Sequence, residues 1–326
     1  MADKAMSWMT RAVIVLVVLG LIAATTVFYL KAEREARRNS LAAGVVVAWL
    51  QDMADEKKDL PRFVPAAKAS IAAEREALAN DPAALSGRLA EYLVMSAVTH
   101  ISFMGGRPAV APAVVEFETA LGKQFGDLVL RLVDQKDERS LAYLSLLADS
   151  NGDELIPEDV LDRALIAAVR FARTKTPVPA TFLSRAASRL NGRSWNVARE
   201  TAKSAAEYAH ALEIAETAVS AAPDDAEYVN TLAYAQYRVG RYQEAAATIA
   251  RATSMRKEPS SLDGVMVAMT AARTGKPDAA RLALTAIDER LAANAKDAIS
   301  KKRKPYVDSE LQRLLAEARA LVPVVR

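Results

Sequence analysis

No cysteine occurs among the 326 residues, which excludes disulfides, thiolate zinc sites and iron–sulfur ligation. Histidine is almost as scarce. His100 and His210 each lie in apolar or alanine-rich sequence, and two lone imidazoles form neither a metal triad nor an acid–base pair at a recognisable spacing. Glycine (12) and proline (13) are sparse, and no glycine-rich phosphate loop follows a strand-like run. Charge of one sign is missing too: 43 basic against 40 acidic residues leave a formal net charge of +3, so nucleic acid is not an expected partner. With these absences, no cofactor, no small-molecule substrate and no enzymatic activity are expected. One enzymatic alternative stays open, a carboxylate pair brought together by the fold on a helical chassis.

What is present favours helices. The chain is 52% hydrophobic and 25% charged, enough apolar material for one large or two ordinary domains, and its alanine-rich, glycine-poor composition predicts an all-α fold. The run Ala12 to Leu30, "AVIVLVVLGLIAATTVFYL", carries no charge. A helix of that length spans a hydrocarbon core of about 30 Å, with Trp8 and Tyr29 near its ends as interfacial aromatics. Because "VFYLKAEREARR" follows instead of a small-residue cleavage site, the expectation is an uncleaved transmembrane anchor and a single-pass protein of a bacterial inner membrane, with residues 12–30 in the bilayer. Lys31, Arg34, Arg37 and Arg38 after the span outnumber Lys4 and Arg11 before it, which points the C-terminal side toward the cytoplasm. A short tail before one long exported domain is the periplasmic alternative.

The expected organisation is a tail and anchor over 1–30, a membrane-proximal helix over 31–60, a helical solenoid over 62–190, and repeats with a C-terminal capping helix over 191–326. Leu41, Val45, Trp49 and Met53 recur at near-helical spacing ahead of Pro61, where a helix should stop. Asp81 before Pro82 reads as an N-cap, and "MGGRPAVAP" (104–112) as an internal loop. Further helices are predicted at roughly 113–121, 124–135, 137–148, 158–173 and 180–190, joined by connections short enough to force antiparallel packing.

A repeat is visible downstream. Ala211, Ala245 and Ala280 each sit early in a second helix at separations of 34 and 35 residues, and Gly240 and Gly275 end first helices 35 apart. "NTLAYAQYRVGRYQEAAATIARA" (230–252) is the best unit, with Leu232-Ala233 in the first helix and Tyr242, Ala245, Ile249 and Ala252 in the second. This pattern resembles the tetratricopeptide repeat, although Val229 and Gln236 stand where aromatics are usual and Lys257 where a proline closes the unit. Residues 185–322 are similar to the C-terminal repeat regions of large bacterial signalling proteins in which a kinase or propeller module comes first; neither module is present here. The resemblance implies a scaffold binding an unknown protein or peptide, with recognition on a concave face lined by first helices. If Leu232 and Ala233 point inward, Asn196, Asn230, Tyr234, Tyr237, Arg238, Met269 and Arg273 project into that groove.

Two stretches stand apart. "DSNGDELIPEDV" (149–160) resembles an EF-hand loop through Asp149, Asn151 and Asp153, but Glu154 replaces the turn glycine and Val160 the bidentate glutamate that calcium needs. A calcium-responsive helical protein is therefore the alternative function, against a plain polar helix-helix loop. "SKKRKPY" (300–306) reads as a solvated connection before an amphipathic helix whose Leu311, Leu314, Leu315, Ala318 and Leu321 are expected to cap the solenoid end.

Overall fold

The computed structural model describes residues 30–322 except 53, 56, 58, 104–110, 150–154, 259 and 302–307. The regular structure of the described residues is helical, joined by turns and short irregular connections, and contains no strand. They form two compact units, one ending at Val160 and one beginning at Leu161.

One expectation is corrected. Among the described residues no helix is long and apolar enough to cross a membrane, so the fold is all-α without an observed spanning element, and a single-pass membrane protein is not supported. The span expected at 12–30 lies outside the described residues apart from Leu30. The first described helix, α1 (30–52), opens on "LKAEREARR", whose alternating charges belong in water.

The first unit continues with α2 (Phe63–Ala77), α3 (Pro82–Phe103), α4 (Pro112–Asp134) and α5 (Arg139–Asp149). α3 packs on α2, α4 and α5, and α4 also meets α5. The junction between α1 and α2 is set by a side chain: the fully buried Asp52 accepts hydrogen bonds from the backbone N–H groups of Arg62 (2.9 Å) and Phe63 (2.8 Å). Those are donors that the start of a helix leaves orphaned, so α1 supplies the cap that α2 lacks in its own sequence. Arg38 of α1 reinforces the pair through Glu74 of α2, at 2.5 Å. Asp81 caps α3 by accepting from Ala84 N–H at 3.0 Å.

The break anticipated between 121 and 124 does not occur, since α4 runs unbroken through Gly122 and Gly126. These glycines serve proximity instead of a turn. A Cβ at Gly122 would lie 2.2 Å from the Leu155 carbonyl oxygen, and one at Gly126 would lie 2.1 Å from Val160 Cγ1.

Beyond α6 (Glu158–Ala172), the second unit stacks α7 (Ala180–Ala198) with α8 (Ala205–Ala221), α9 (Ala226–Arg238) with α10 (Tyr242–Ser254), and α11 (Ser261–Arg273) with α12 (Pro277–Ser300), followed by α13 (Ser309–Leu321). α8 packs on α9 and α10 on α11, so each hairpin covers the next. Ala198, Ala233 and Ala268, spaced 35 apart in the first helices, are fully buried, as are Ala245 and Ala280 in the second helices. A methyl at these positions is what lets helix axes approach. Gly240 (φ 83°) and Gly275 (φ 77°) end α9 and α11 with positive φ, the left-handed region that favours glycine.

Ser204 and Glu207 close a reciprocal cap at the start of α8, in which Ser204 N–H donates to Glu207 Oε2 at 2.8 Å and Glu207 N–H donates to Ser204 Oγ at 3.2 Å. Two orphan donors are satisfied at once. The Ser204 backbone N–H, then its hydroxyl, then Lys203 hold the Glu207 carboxyl far below its ordinary range, at about 2. A carboxyl depressed on folding stabilises the native helix above its unfolded pKa and loses that contribution as pH falls through the folded one. The first turn of α8 is therefore expected to fray between about pH 4.5 and 2. Faster amide exchange at residues 205–208 in that window, absent in Glu207→Gln, is the check.

Candidate functional site

The face expected to bind is the one formed by α7, α9 and α11, whose neighbouring first helices touch in sequence, α7 to α9 and α9 to α11. It is not an open groove. α13 packs along α11, and its Leu311, Leu314, Leu315 and Ala318 share one buried core with Ala198, Tyr234, Tyr237, Val265, Met266 and Met269. The apolar stripe read from the sequence is thus the buried one, but it covers the first-helix face, where the expectation is a cap on the end of the stack.

This seating explains the fate of the seven predicted groove residues. Asn196 and Arg273 are exposed, whereas Asn230, Tyr234, Tyr237 and Met269 are buried. The Arg238 side chain is only 6% exposed. Asn230 donates to Asp263 Oδ1 at 2.6 Å, tying α9 to α11. Burial pushes the Asp263 carboxyl above its ordinary range, and Arg256 (2.9 Å) and Asn230 act against that shift. Tyr234 stands edge-on to Trp195, ring centroids 5.0 Å apart, and donates its hydroxyl to the Leu262 carbonyl at 3.1 Å, the polar partner that a buried tyrosine requires. Burial raises its phenol pKa far above the ordinary value. Tyr237 packs on Tyr242 at 5.2 Å and accepts from Arg273 Nε at 3.3 Å.

Arg238 is the most constrained of the seven. Its Nε donates to the Ala198 carbonyl at the end of α7 (2.7 Å), and its two terminal nitrogens grip the Glu317 carboxylate of α13, Nη2 at 2.8 Å. Burial acts to lower its pKa, and the hydrogen bond and charge of Glu317 more than offset this, so the net shift is upward, as a close opposite charge dictates. Around this bidentate clamp, Arg199 pairs with Glu310, Glu200 with Arg313 (2.8 Å) and Asp288 with Arg319 (2.5 Å). Sequence periodicity misses these partners because Glu317 lies 79 residues from Arg238 and Glu310 lies 111 from Arg199 along the chain. The signal that could have found them is the alternation of Glu310, Arg313, Glu317 and Arg319 along the rim of the α13 leucine stripe.

Elsewhere in the second unit, Asp162 of α6 is buried and accepts from Arg193 of α7 at 3.0 and 3.1 Å, while His210 Nε2 of α8 lies 3.1 Å from its Oδ2. One carboxylate thereby ties three helices together. In the first unit, a cavity of about 310 Å³ between α2 and α4 has an apolar floor of Ile71, Phe117 and Leu121, and Arg75 donates to Gln124 at its wall. No cluster of three metal-ligating side chains occurs among the described residues. Asp149 is the last residue of α5, and Asn151 and Asp153 lie outside the described residues.

No protein-family model, curated protein or solved structure significantly matches the chain.

Proposed function

We propose that the second unit is a tetratricopeptide-type scaffold that holds another protein by an amphipathic helix laid across its first-helix face. The observation that carries this reading is α13 itself, the helix after α12, seated over α11 with its leucines inward and both rims charge-paired. A surface that accepts one helix this way has the anatomy of helix-in-groove recognition. The hairpins at 35-residue spacing, with buried alanines where helices touch, support the repeat assignment.

The test is cross-linking in the cells that express the protein. A photoreactive residue at Asn196, exposed beside the seat, is expected to form adducts with another polypeptide, and one at Gln243, exposed on α10, is not. Equal labelling from both positions, or none from Asn196, would reject the reading.

A further inference from the structure

The seat occupied by α13 has the features of a ligand site and not merely of a core. α13 is self-contained as a helix, because Asp308 accepts from Glu310 N–H (3.0 Å) and Leu311 N–H (3.1 Å) and so serves as its N-cap. Four apolar side chains hold it, and Leu321 adds partial cover. The six hairpin helices also pack on one another in sequence and bury alanines where they touch, contacts that the stack makes with its own elements.

The receptor side is also organised ahead of its occupant. The Arg238 guanidinium is aimed by the α7 carbonyl at Ala198, a contact made within the stack, which leaves its terminal nitrogens facing the position of Glu317. Arg199, the C-cap of α7, faces the position of Glu310, one heptad earlier on the same side of α13. Between these cations the floor is rich in methionine and aromatic surface, Trp195, Tyr234, Met266 and Met269, which re-packs readily around different apolar side chains.

We propose that α13 is an exchangeable intramolecular occupant of this face, and that the partner taken in its place is an amphipathic helix carrying two carboxylates a heptad apart beside a leucine-type stripe. The specification follows from charge complementarity: a helix without the second carboxylate leaves Arg238 desolvated and unpaired, which disfavours it. Tethering holds α13 at a high effective concentration, so a partner gains access only when it binds better or when α13 is unseated. This inference rests on the scaffold reading and adds its regulation and its ligand chemistry.

The probe is a fluorescein-labelled peptide of residues 308–322, titrated against the full chain. Leu314→Asp with Leu315→Asp unseats α13 in cis, and the peptide is expected to bind that variant at least about ten-fold more tightly than wild type, through loss of the tethered competitor. Adding Arg238→Glu abolishes the binding, and a Glu317→Arg peptide restores it. A helical unseated variant that ignores the peptide would overturn the proposal, as would affinity indifferent to the sign at position 317. Because the leucine variants can unfold the unit, amide exchange on wild type gives a second reading. α13 amides are expected to exchange well before those of α9, and simultaneous exchange, which makes α13 an inseparable part of the core, would overturn exchangeability. Adducts from Asn196 without peptide exchange refute the self-occupancy alone; adducts missing from both wild type and the unseated variant refute the scaffold reading beneath it.

Discussion

Tyr234→Ala is expected to destabilise the second unit by about 3–5 kcal/mol, the range for removing a large ring from a packed interior. Tyr234 is the largest wholly buried side chain among the described residues, and it makes contacts of two kinds. Its ring meets Trp195 edge-on at 88°, and its hydroxyl satisfies the Leu262 carbonyl. Truncation removes both and leaves a cavity among alanines and methionines too short to fill it. Tyr234→Phe keeps the ring and forfeits only the hydrogen bond, for about 1 kcal/mol. Urea unfolding followed by Trp195 fluorescence reads both variants, with the other tryptophans, Trp8 and Trp49, replaced by phenylalanine. An unchanged midpoint for the alanine variant would contradict the placement of α9.

Gly122→Ala carries the second large effect, and its sign runs against helix propensity. In an exposed helix the change gains roughly 1 kcal/mol, and Gly44 of α1, with nothing within 4 Å of an added Cβ, is expected to show that gain. At Gly122 the new methyl meets the Leu155 carbonyl oxygen at 2.2 Å and the Ile156 Cα at 2.9 Å, both backbone. Relief requires the 155–160 segment to move away from α4, and a net loss of about 1–3 kcal/mol is expected. At Gly126 the three nearest atoms to an added Cβ are side-chain atoms of Val160 and Ile156, the closest a Val160 methyl, so Val160→Ala should relieve much of the cost of Gly126→Ala and none of the cost at Gly122. Chemical unfolding of the glycine variants, each with and without Val160→Ala, distinguishes backbone from side-chain obstruction.

These two positions also show where the sequence is readable. The all-α class follows from composition, and the hairpin period and the stripe of α13 from spacing, since 3.6-residue periodicity and glycine turns are local signals. The phase of α9 is harder. Every residue from Val229 to Tyr237 is buried, so this stretch has no solvent face for periodicity to mark, and polar Asn230 and charged Arg238 read as a groove when their partners lie in α11 and α13. Asn230→Ala with Arg238→Ala would therefore disturb folding as well as recognition, because the removals take hydrogen-bond partners from the carboxylates of Asp263 and Glu317. Gly122 misleads for a related reason: a glycine that breaks a helix and one that lets another segment touch it look identical until the neighbour is known.

Asp52 has a consequence for how the first unit can be divided. A helix whose initial donors are satisfied by its predecessor cannot be lifted out with its stability intact. A fragment starting at residue 62, the boundary suggested by Pro61, would discard both that carboxylate and the Arg38 partner of Glu74. Residues 30–60 are better regarded as the first course of the same masonry, and their inheritance and truncation should travel with α2.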